Sequence, residues 1–314
     1  MQEDRRNGRI PMLNVYITGA SGYLGSTFLL NAPENWNITC YGRHVPDIPL
    51  PHNINWLKGD LSRTKDSVVI PEGIDLLIHL GALKGSGPCS VNSAEAIKTN
   101  ILGTSRLLEA AKNIGVKKFI FSSSYWVYGS TVNTLCEETT PIAPSEMYGL
   151  TKAISELEVM SSGINYLILR FTNIFGWGSG IQSEEVVHYF IRAALKGMPI
   201  QVEHGGTQTV DLLDVTDACS ILRILSESPT ISNEIINVGS GNPRSVGSVA
   251  LMIREIFLKK FNKNIQIITE PYDNIGMEWR GVSVNKLRQT IPEFTFRSFE
   301  ESIEQYIKEL GGLL

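Results

Sequence analysis

The chain has 314 residues, 42% of them hydrophobic and 19% charged, ordinary for a globular protein and far from a disordered one. A formal net charge of −4 gives no electrostatic reason to expect a nucleic-acid partner. No apolar run approaches the roughly 20 residues that a membrane-spanning helix needs. The start is polar, with Arg5, Arg6 and Arg9, and lacks the apolar core of a secretory signal, so it reads as a frayed tail. Cys40, Cys89, Cys136 and Cys219 are scattered without a C-x-x-C pair, and the histidines form no cluster at ligand spacing. Reduced thiols, a cytoplasmic address and no metal are the expectation.

Short apolar runs alternate with longer amphipathic stretches from residue 13 onward. Residues 13–18 (LNVYIT) read as a buried strand and 23–30 as the helix after a Gly-rich turn. Strands are expected at 37–41, 54–57 and 75–80, then a helix over 93–113 with apolar residues at helical spacing. Residues 118–123 (KFIFSS) and 166–171 (YLILRF) are further strands, with a helix over 146–161 between them. Strands apolar throughout and separated by helices imply a parallel sheet covered on both faces. That is a doubly wound α/β fold. After residue 172 come helices at 184–196, 216–226 and 248–260, strands at 234–238 and 265–269, and a last helix near 299–310. A smaller lobe that shares segments with the first fits this looser rhythm better than a separable domain.

Directly after the first strand stands Thr18-Gly19-Ala20-Ser21-Gly22-Tyr23-Leu24-Gly25, a G-x-x-G-x-x-G loop opening a helix. Glycines there allow the tight turn, let backbone approach a pyrophosphate and permit close helix–strand packing. The helix N-terminus then offers unpaired N–H groups to the anion. A carboxylate at the end of the second strand would favour NAD, but that stretch is Cys40-Tyr41-Gly42-Arg43-His44. Arg43 can grip a ribose 2′-phosphate, so NADP is favoured over NAD; the competing reading is a solvated surface arginine. Asp60, in Gly59-Asp60-Leu61 after the third strand, can accept from the adenine amino group or cap the next helix.

Tyr148 and Lys152 stand four apart at the start of a helix, hence on one face. An ammonium near a phenol is expected to stabilise the phenolate and lower its pKa, making Tyr148 a proton donor or acceptor. Ser122-Ser123-Ser124 ends the fifth strand, at the sheet edge where ligands bind in open α/β folds. A hydroxyl there can bond the oxygen that is being oxidised or reduced.

These motifs together resemble the extended short-chain dehydrogenases, the group of sugar-nucleotide epimerases, dehydratases and reductases. The match runs through Thr18–Gly25, Gly59-Asp60-Leu61, Ile78-His79-Leu80-Gly81-Ala82, Asn100 with Gly103-Thr104, Phe121–Gly129 (FSSSYWVYG), Tyr148–Lys152, Leu169–Gly176 (LRFTNIFG) and Ile236–Gly239 (INVG). The resemblance implies a Rossmann domain over 12–175 plus about 209–240, and an interleaved C-terminal substrate lobe over about 176–208 and 241–314. It implies that Gly19, Gly22 and Gly25 hold the pyrophosphate with Tyr23 and Leu24 donating N–H groups. Asp60 and Leu61 would flank the adenine. Leu80, Gly81, Ala82, Asn100, Ser122 and Phe171 would line the rest of the cofactor. Ser124, Tyr148 and Lys152 would be catalytic, while Asn173 and Arg280 would meet the substrate, a nucleotide-linked sugar. A homodimer through the helices at 93–113 and 146–161 is also implied.

Two departures bear on the chemistry. Sugar-nucleotide dehydratases carry an Asp-Glu pair after the catalytic hydroxyl, and here Tyr125 and Trp126 stand there, which argues against dehydration. Members that grip a diphosphate often have an arginine before the Asp of an R-D-(F/Y) segment, and here it is Val210 before Asp211. A valine offers no charge-assisted bond to phosphate. The expected activity is oxidoreduction or epimerisation at sugar C4, by a 4-epimerase or a 4-keto reductase. The alternatives are an NADP-dependent reductase or dehydrogenase of a carbonyl or alcohol not linked to a nucleotide and, more remotely, a catalytically retired cofactor sensor.

Overall fold

The computed structural model describes residues 12–63, 68–129, 135–178, 185–271 and 281–311. Seven strands form the main sheet: β1 (Leu13–Thr18), β2 (Trp36–Gly42), β3 (Ile54–Lys58), β4 (Leu76–His79), β5 (Lys118–Ser124), β6 (Tyr166–Phe171) and β7 (Glu234–Val238). All pairings are parallel, in the order β7-β6-β5-β4-β1-β2-β3. The long helices are α1 (Tyr23–Leu30), α2 (Gly103–Asn113), α3 (Met147–Ser161), α4 (Val186–Leu195), α5 (Val215–Glu227), α6 (Val246–Phe261) and α7 (Phe299–Gly311). Among the described residues no helix is long and apolar enough to cross a membrane.

The uniformly apolar strands are explained by burial on both faces. Val15 and Ile17 point into one core with Ile38, Ile78, Ile120 and Leu169, while Tyr16 points into another with Leu77, Phe119 and Phe121. Alternate residues of each strand therefore feed two separate layers, as a doubly wound sheet requires. Strand order reverses between β1 and β4, which opens a crevice at their carboxyl ends.

A third core gathers Phe190 and Ile191 of α4, Val249, Ile253 and Phe257 of α6, and Ile303 and Tyr306 of α7. It is joined to the sheet by a ribbon in which Asn173–Phe175 pairs with Leu212–Asp214. Phe175 and Leu212 belong to this third core, whereas Leu213 and Val215 belong to the core beneath the sheet. Asn173 thus opens the ribbon that ties the two halves together. Val282, Val284, Leu287 and Ile291 pack back into the sheet's own core.

The helix expected over 93–113 is not continuous. Ser93–Ala96 forms a first turn capped by Asn92, and the chain then widens into a π-helical stretch at Ile97–Leu102 before α2 begins. The cause is local chemistry around Asn100. Its carbonyl accepts from the Thr104 hydroxyl at 2.5 Å and from Ser155 Oγ at 2.8 Å, bonds that compensate the backbone irregularity.

Candidate active site

The cradle at the crevice is made of backbone held too close for side chains. A Cβ on Gly19 (φ +74°) would lie 2.4 Å from Gly81 N, and one on Gly25 would lie 2.4 Å from Gly19 O. One on Gly81 would meet Leu61 Cδ1 at 2.9 Å. The loops after β1, β3 and β4 are therefore in contact at this point. Gly22 caps α1 without any side-chain bond, and the first turn of α1 holds no acid. Its N–H groups and positive dipole end are left for an anion, so the residues present fit a dinucleotide pyrophosphate. Tyr23 does not face the same way as its backbone: its hydroxyl donates to Gly176 O at 2.8 Å. Leu24 is half-buried beside it.

A neutral hydrogen-bond chain fixes this cradle from below. Gly81 N–H donates to Thr18 Oγ1 at 3.3 Å, and Thr18 Oγ1 lies 2.6 Å from His79 Nδ1. His79 Nε2 lies 2.9 Å from Thr104 Oγ1, which itself donates to Asn100 O. Because Thr104 spends its proton on Asn100, His79 must donate from Nε2 and accept from Thr18 at Nδ1. Burial, with the Lys152 charge adding to it, pushes His79 down to about 3, so the ring stays neutral. The Asn100 side chain grips the loop after β4 from both sides: Oδ1 accepts from Leu83 N at 2.7 Å and Nδ2 donates to Leu83 O at 3.0 Å. Sequence reading gave no role to Thr18, His79 or Thr104. The signal for Thr18 and His79 is a polar residue at the buried end of an apolar strand, whereas Thr104 lies in the first turn of α2.

Ser124, Tyr148 and Lys152 come together at the carboxyl end of β5. Ser124 is buried, hydrogen-bonds the Tyr148 phenol, and stands beside Phe171 in the β5–β6 register. Lys152 is buried, donates to Ser122 O at 2.6 Å, and places Nζ 5.9 Å from the centre of the Tyr148 ring. Lys152 is pushed down to about 8 by burial, against the pull of Glu156 and Cys89. The Tyr148 phenol is pushed up, by burial first and by Cys89 and Tyr125 nearby, while the bond with Ser124 opposes this. The expected lowering by Lys152 is thus absent from this arrangement: the ammonium is spent on a carbonyl and burial outweighs it. Tyr148 is held as the neutral phenol. Nδ2 of Asn100 also donates to Thr151 Oγ1 at 3.0 Å, and Thr151 donates to Tyr148 O at 2.8 Å, so the cradle and the first turn of α3 share one network.

Behind the site lies a buried ion pair. Arg170 on β6 donates to Glu156 on α3 through Nε at 3.0 Å and Nη2 at 2.7 Å, and Glu156 accepts from Ser123 Oγ at 2.5 Å. The bidentate pair ties the helix carrying Tyr148 and Lys152 to the strands beside it.

The remaining residues are more peripheral. Asp60 accepts from Ser62 N and Ser62 Oγ, both at 2.9 Å. Burial would raise its carboxyl, but those bonds and the charges of Arg43 and Arg63 outweigh it and hold it down. Ala82 and Leu80 are half-buried on the loop after β4. Asn173 is half-buried and its Nδ2 lies 3.1 Å from the Tyr125 hydroxyl. Val210 packs on the third core and pairs across an antiparallel ribbon with Arg244. Arg280 lies outside the described residues.

Residues 15–239 match the model of the NAD dependent epimerase/dehydratase family. The chain belongs to that family. A trifunctional UDP-glucose 4,6-dehydratase/UDP-4-keto-6-deoxy-D-glucose 3,5-epimerase/UDP-4-keto-L-rhamnose-reductase of Arabidopsis thaliana is 28% identical over 276 residues, 81% of this chain and 41% of the plant protein. The chain therefore spans about two fifths of that relative's length. An uncharacterized UDP-glucose epimerase of Bacillus subtilis is 25% identical over 96% of this chain and 99% of its own. Among solved structures, MoeE5 in complex with UDP-glucuronic acid and NAD superposes with a TM-score of 0.82 at 25% identity, covering 96% of this chain and 100% of that one.

These findings correct the cofactor expectation. The family is described as NAD-dependent and the solved neighbour holds NAD, so the preference for NADP read from Arg43 does not stand. The physical reason is visible in the site. Arg43 is exposed, and its charge is answered by the Asp60 carboxylate, which would repel a 2′-phosphate.

Proposed function

We propose that this enzyme is an NAD-dependent nucleotide-sugar 4-epimerase working through Ser124, Tyr148 and Lys152. The observation that carries the reading is the hydrogen-bonded Ser124–Tyr148 pair, with Lys152 behind it, beside a cradle that fits a dinucleotide. NAD, when bound, would supply the hydride acceptor. Ser124 holds the sugar oxygen, and Tyr148 exchanges a proton with it. Lys152, held by its bond to Ser122 O, would add a cation near the Tyr148 ring and would be the residue to bind the nicotinamide ribose. Gly19, Gly22, Gly25 and the backbone of Tyr23 and Leu24 hold the pyrophosphate. Asp60 and Leu61 flank the adenine, and Asn100 secures the loop Leu80–Ala82 along the cofactor. An enzyme that returns its hydride to the same sugar has no need to exchange its cofactor, which suits NAD better than a consumed reductant and favours epimerase over 4-keto reductase. The relatives named for UDP-sugar chemistry support a nucleotide-linked sugar as substrate.

Two further readings belong with this one. The interleaved substrate lobe is supported by the third core over α4, α6 and α7, although Val282–Ile291 of the range 241–314 packs into the sheet's core. A homodimer through residues 93–113 and α3 is supported by the exposed Leu102 of the π-helical stretch and the exposed Leu150 and Leu157 of α3.

The test is to incubate the purified protein and NAD with UDP-glucose, UDP-N-acetylglucosamine or UDP-glucuronic acid and to resolve the C4 epimers by proton NMR. Conversion of at least one sugar, abolished in Tyr148→Phe while NAD binding persists, is the expected result. A wild type that converts none, or a Tyr148→Phe variant that converts as well as wild type, refutes it.

A further inference from the structure

Tyr125 follows Ser124 directly and begins a short 3-10 turn, Tyr125–Tyr128, at the end of β5. It is 6% exposed, and its ring is part of the core beneath the sheet. Its hydroxyl reaches out of that core to Asn173, whose Nδ2 donates to it at 3.1 Å; the contact to Oδ1 is longer, 3.4 Å. The same phenol is close enough to Tyr148 to raise that group's pKa. One side chain therefore follows the Ser124 position directly in the chain and bonds the first residue of the inter-lobe ribbon.

Asn173 is held by its backbone as well, since its N–H donates to Asp211 O at 3.1 Å. A side-chain amide has two N–H donors and a carbonyl with two lone pairs. Among the described residues Tyr125 is the one side-chain partner of this amide, so its second N–H remains unspent. A half-buried amide with a donor to spare, two residues beyond the Phe171 that pairs with Ser124, is suited to an oxygen of a ligand. Left without Tyr125, the amide would rotate freely about its last torsion.

The geometry points to Tyr125 as a positioning residue that orients Asn173 so that the amide's second N–H donates to an oxygen of the nucleotide sugar. The inference rests on the proposed function, because it takes the nucleotide sugar as the ligand. Tyr125 acts through Asn173 and takes no part in proton transfer. Its contribution is uniform binding, felt in KM more than in kcat.

Tyr125→Phe removes one hydroxyl and keeps the ring in its core. With UDP-glucose or whichever UDP sugar the wild type converts, the variant should raise KM about tenfold, the worth of one oriented hydrogen bond, at nearly unchanged kcat. NAD affinity and melting temperature should match wild type, which a general packing defect would not allow. Asn173→Ala should lose a similar amount, and the double variant should be no worse than Asn173→Ala alone. A wild-type KM in Tyr125→Phe, additive losses in the double variant, or a parallel loss of NAD affinity each overturns the inference while leaving the epimerase reading intact. A wild type that binds NAD but neither binds nor converts any UDP sugar overturns both.

Discussion

Gly19 separates two costs that are usually confounded. Replacing it by alanine places a Cβ at φ +74° and 2.4 Å from Gly81 N, with Leu80 C at 2.6 Å. The left-handed backbone costs about 1–2 kcal/mol for a residue with a Cβ. Forcing the loops after β1 and β4 apart adds overpacking strain of about 1–3 kcal/mol. The sum is about 2–5 kcal/mol. Gly73 provides the control, for it has φ +77° and nothing within 4 Å of an added Cβ. Gly73→Ala therefore carries the backbone cost alone. Urea unfolding followed by circular dichroism should place the Gly19→Ala midpoint below that of Gly73→Ala by the overpacking term. Calorimetry should show NAD affinity reduced at least tenfold in Gly19→Ala and unchanged in Gly73→Ala, because the same displacement opens the pyrophosphate cradle. Equal midpoints and equal NAD affinities for the two variants would show that the loops yield freely and that their close approach does not shape the site.

Lys152→Met should abolish conversion yet stabilise the fold. Burial lowers Lys152 to about 8, so between pH 8 and the ordinary lysine value the unfolded chain binds more protons and the penalty fades as pH rises. At pH 7 removing that penalty, less the lost bond to Ser122 O, is worth about 2 kcal/mol, and a lower urea midpoint in the variant at pH 7 would contradict it. Asp217→Asn tests a raised carboxyl. Asp217 is pushed up to about 6 by burial and then by Asp214, so the folded state binds more protons between about pH 4 and pH 6 and its stability falls as pH rises across that window. Asparagine keeps an acceptor for Arg297 N–H and removes the charge. The variant should gain about 1 kcal/mol at pH 7 after solvent screening and should lack the wild-type slope, and identical slopes in the two proteins would refute the assignment.

The sheet was legible because its signal is redundant. The strands β1, β5 and β6 carry apolar residues on both faces through most of their length, so a period error could not hide them. The Gly-rich loop was legible for a related reason: glycines at 19 and 25 are demanded by backbone contacts at 2.4 Å, and few other residues satisfy them. The broken helix at 93–113 was not. Its apolar spacing is helical on both sides, and the widening at Ile97–Leu102 depends on hydroxyls of Thr104 and Ser155 reaching one carbonyl, the second of them from another helix. Periodicity carries no record of such a bond.

The cofactor shows the same limit in electrostatics. Arg43 read alone is a cation at the place where a 2′-phosphate would sit, and its sign pointed to NADP. Its effective charge depends on Asp60, 17 residues away in sequence, which the fold brings beside it. Tyr148 errs in the opposite direction. Four-residue spacing placed Lys152 on the right face, with its Nζ 5.9 Å from the centre of the Tyr148 ring, but could not show that the ammonium donates to Ser122 O. In both cases residue type and spacing identified the participants, and the third partner set the energetics. A carboxylate answers the arginine, and a carbonyl captures the lysine.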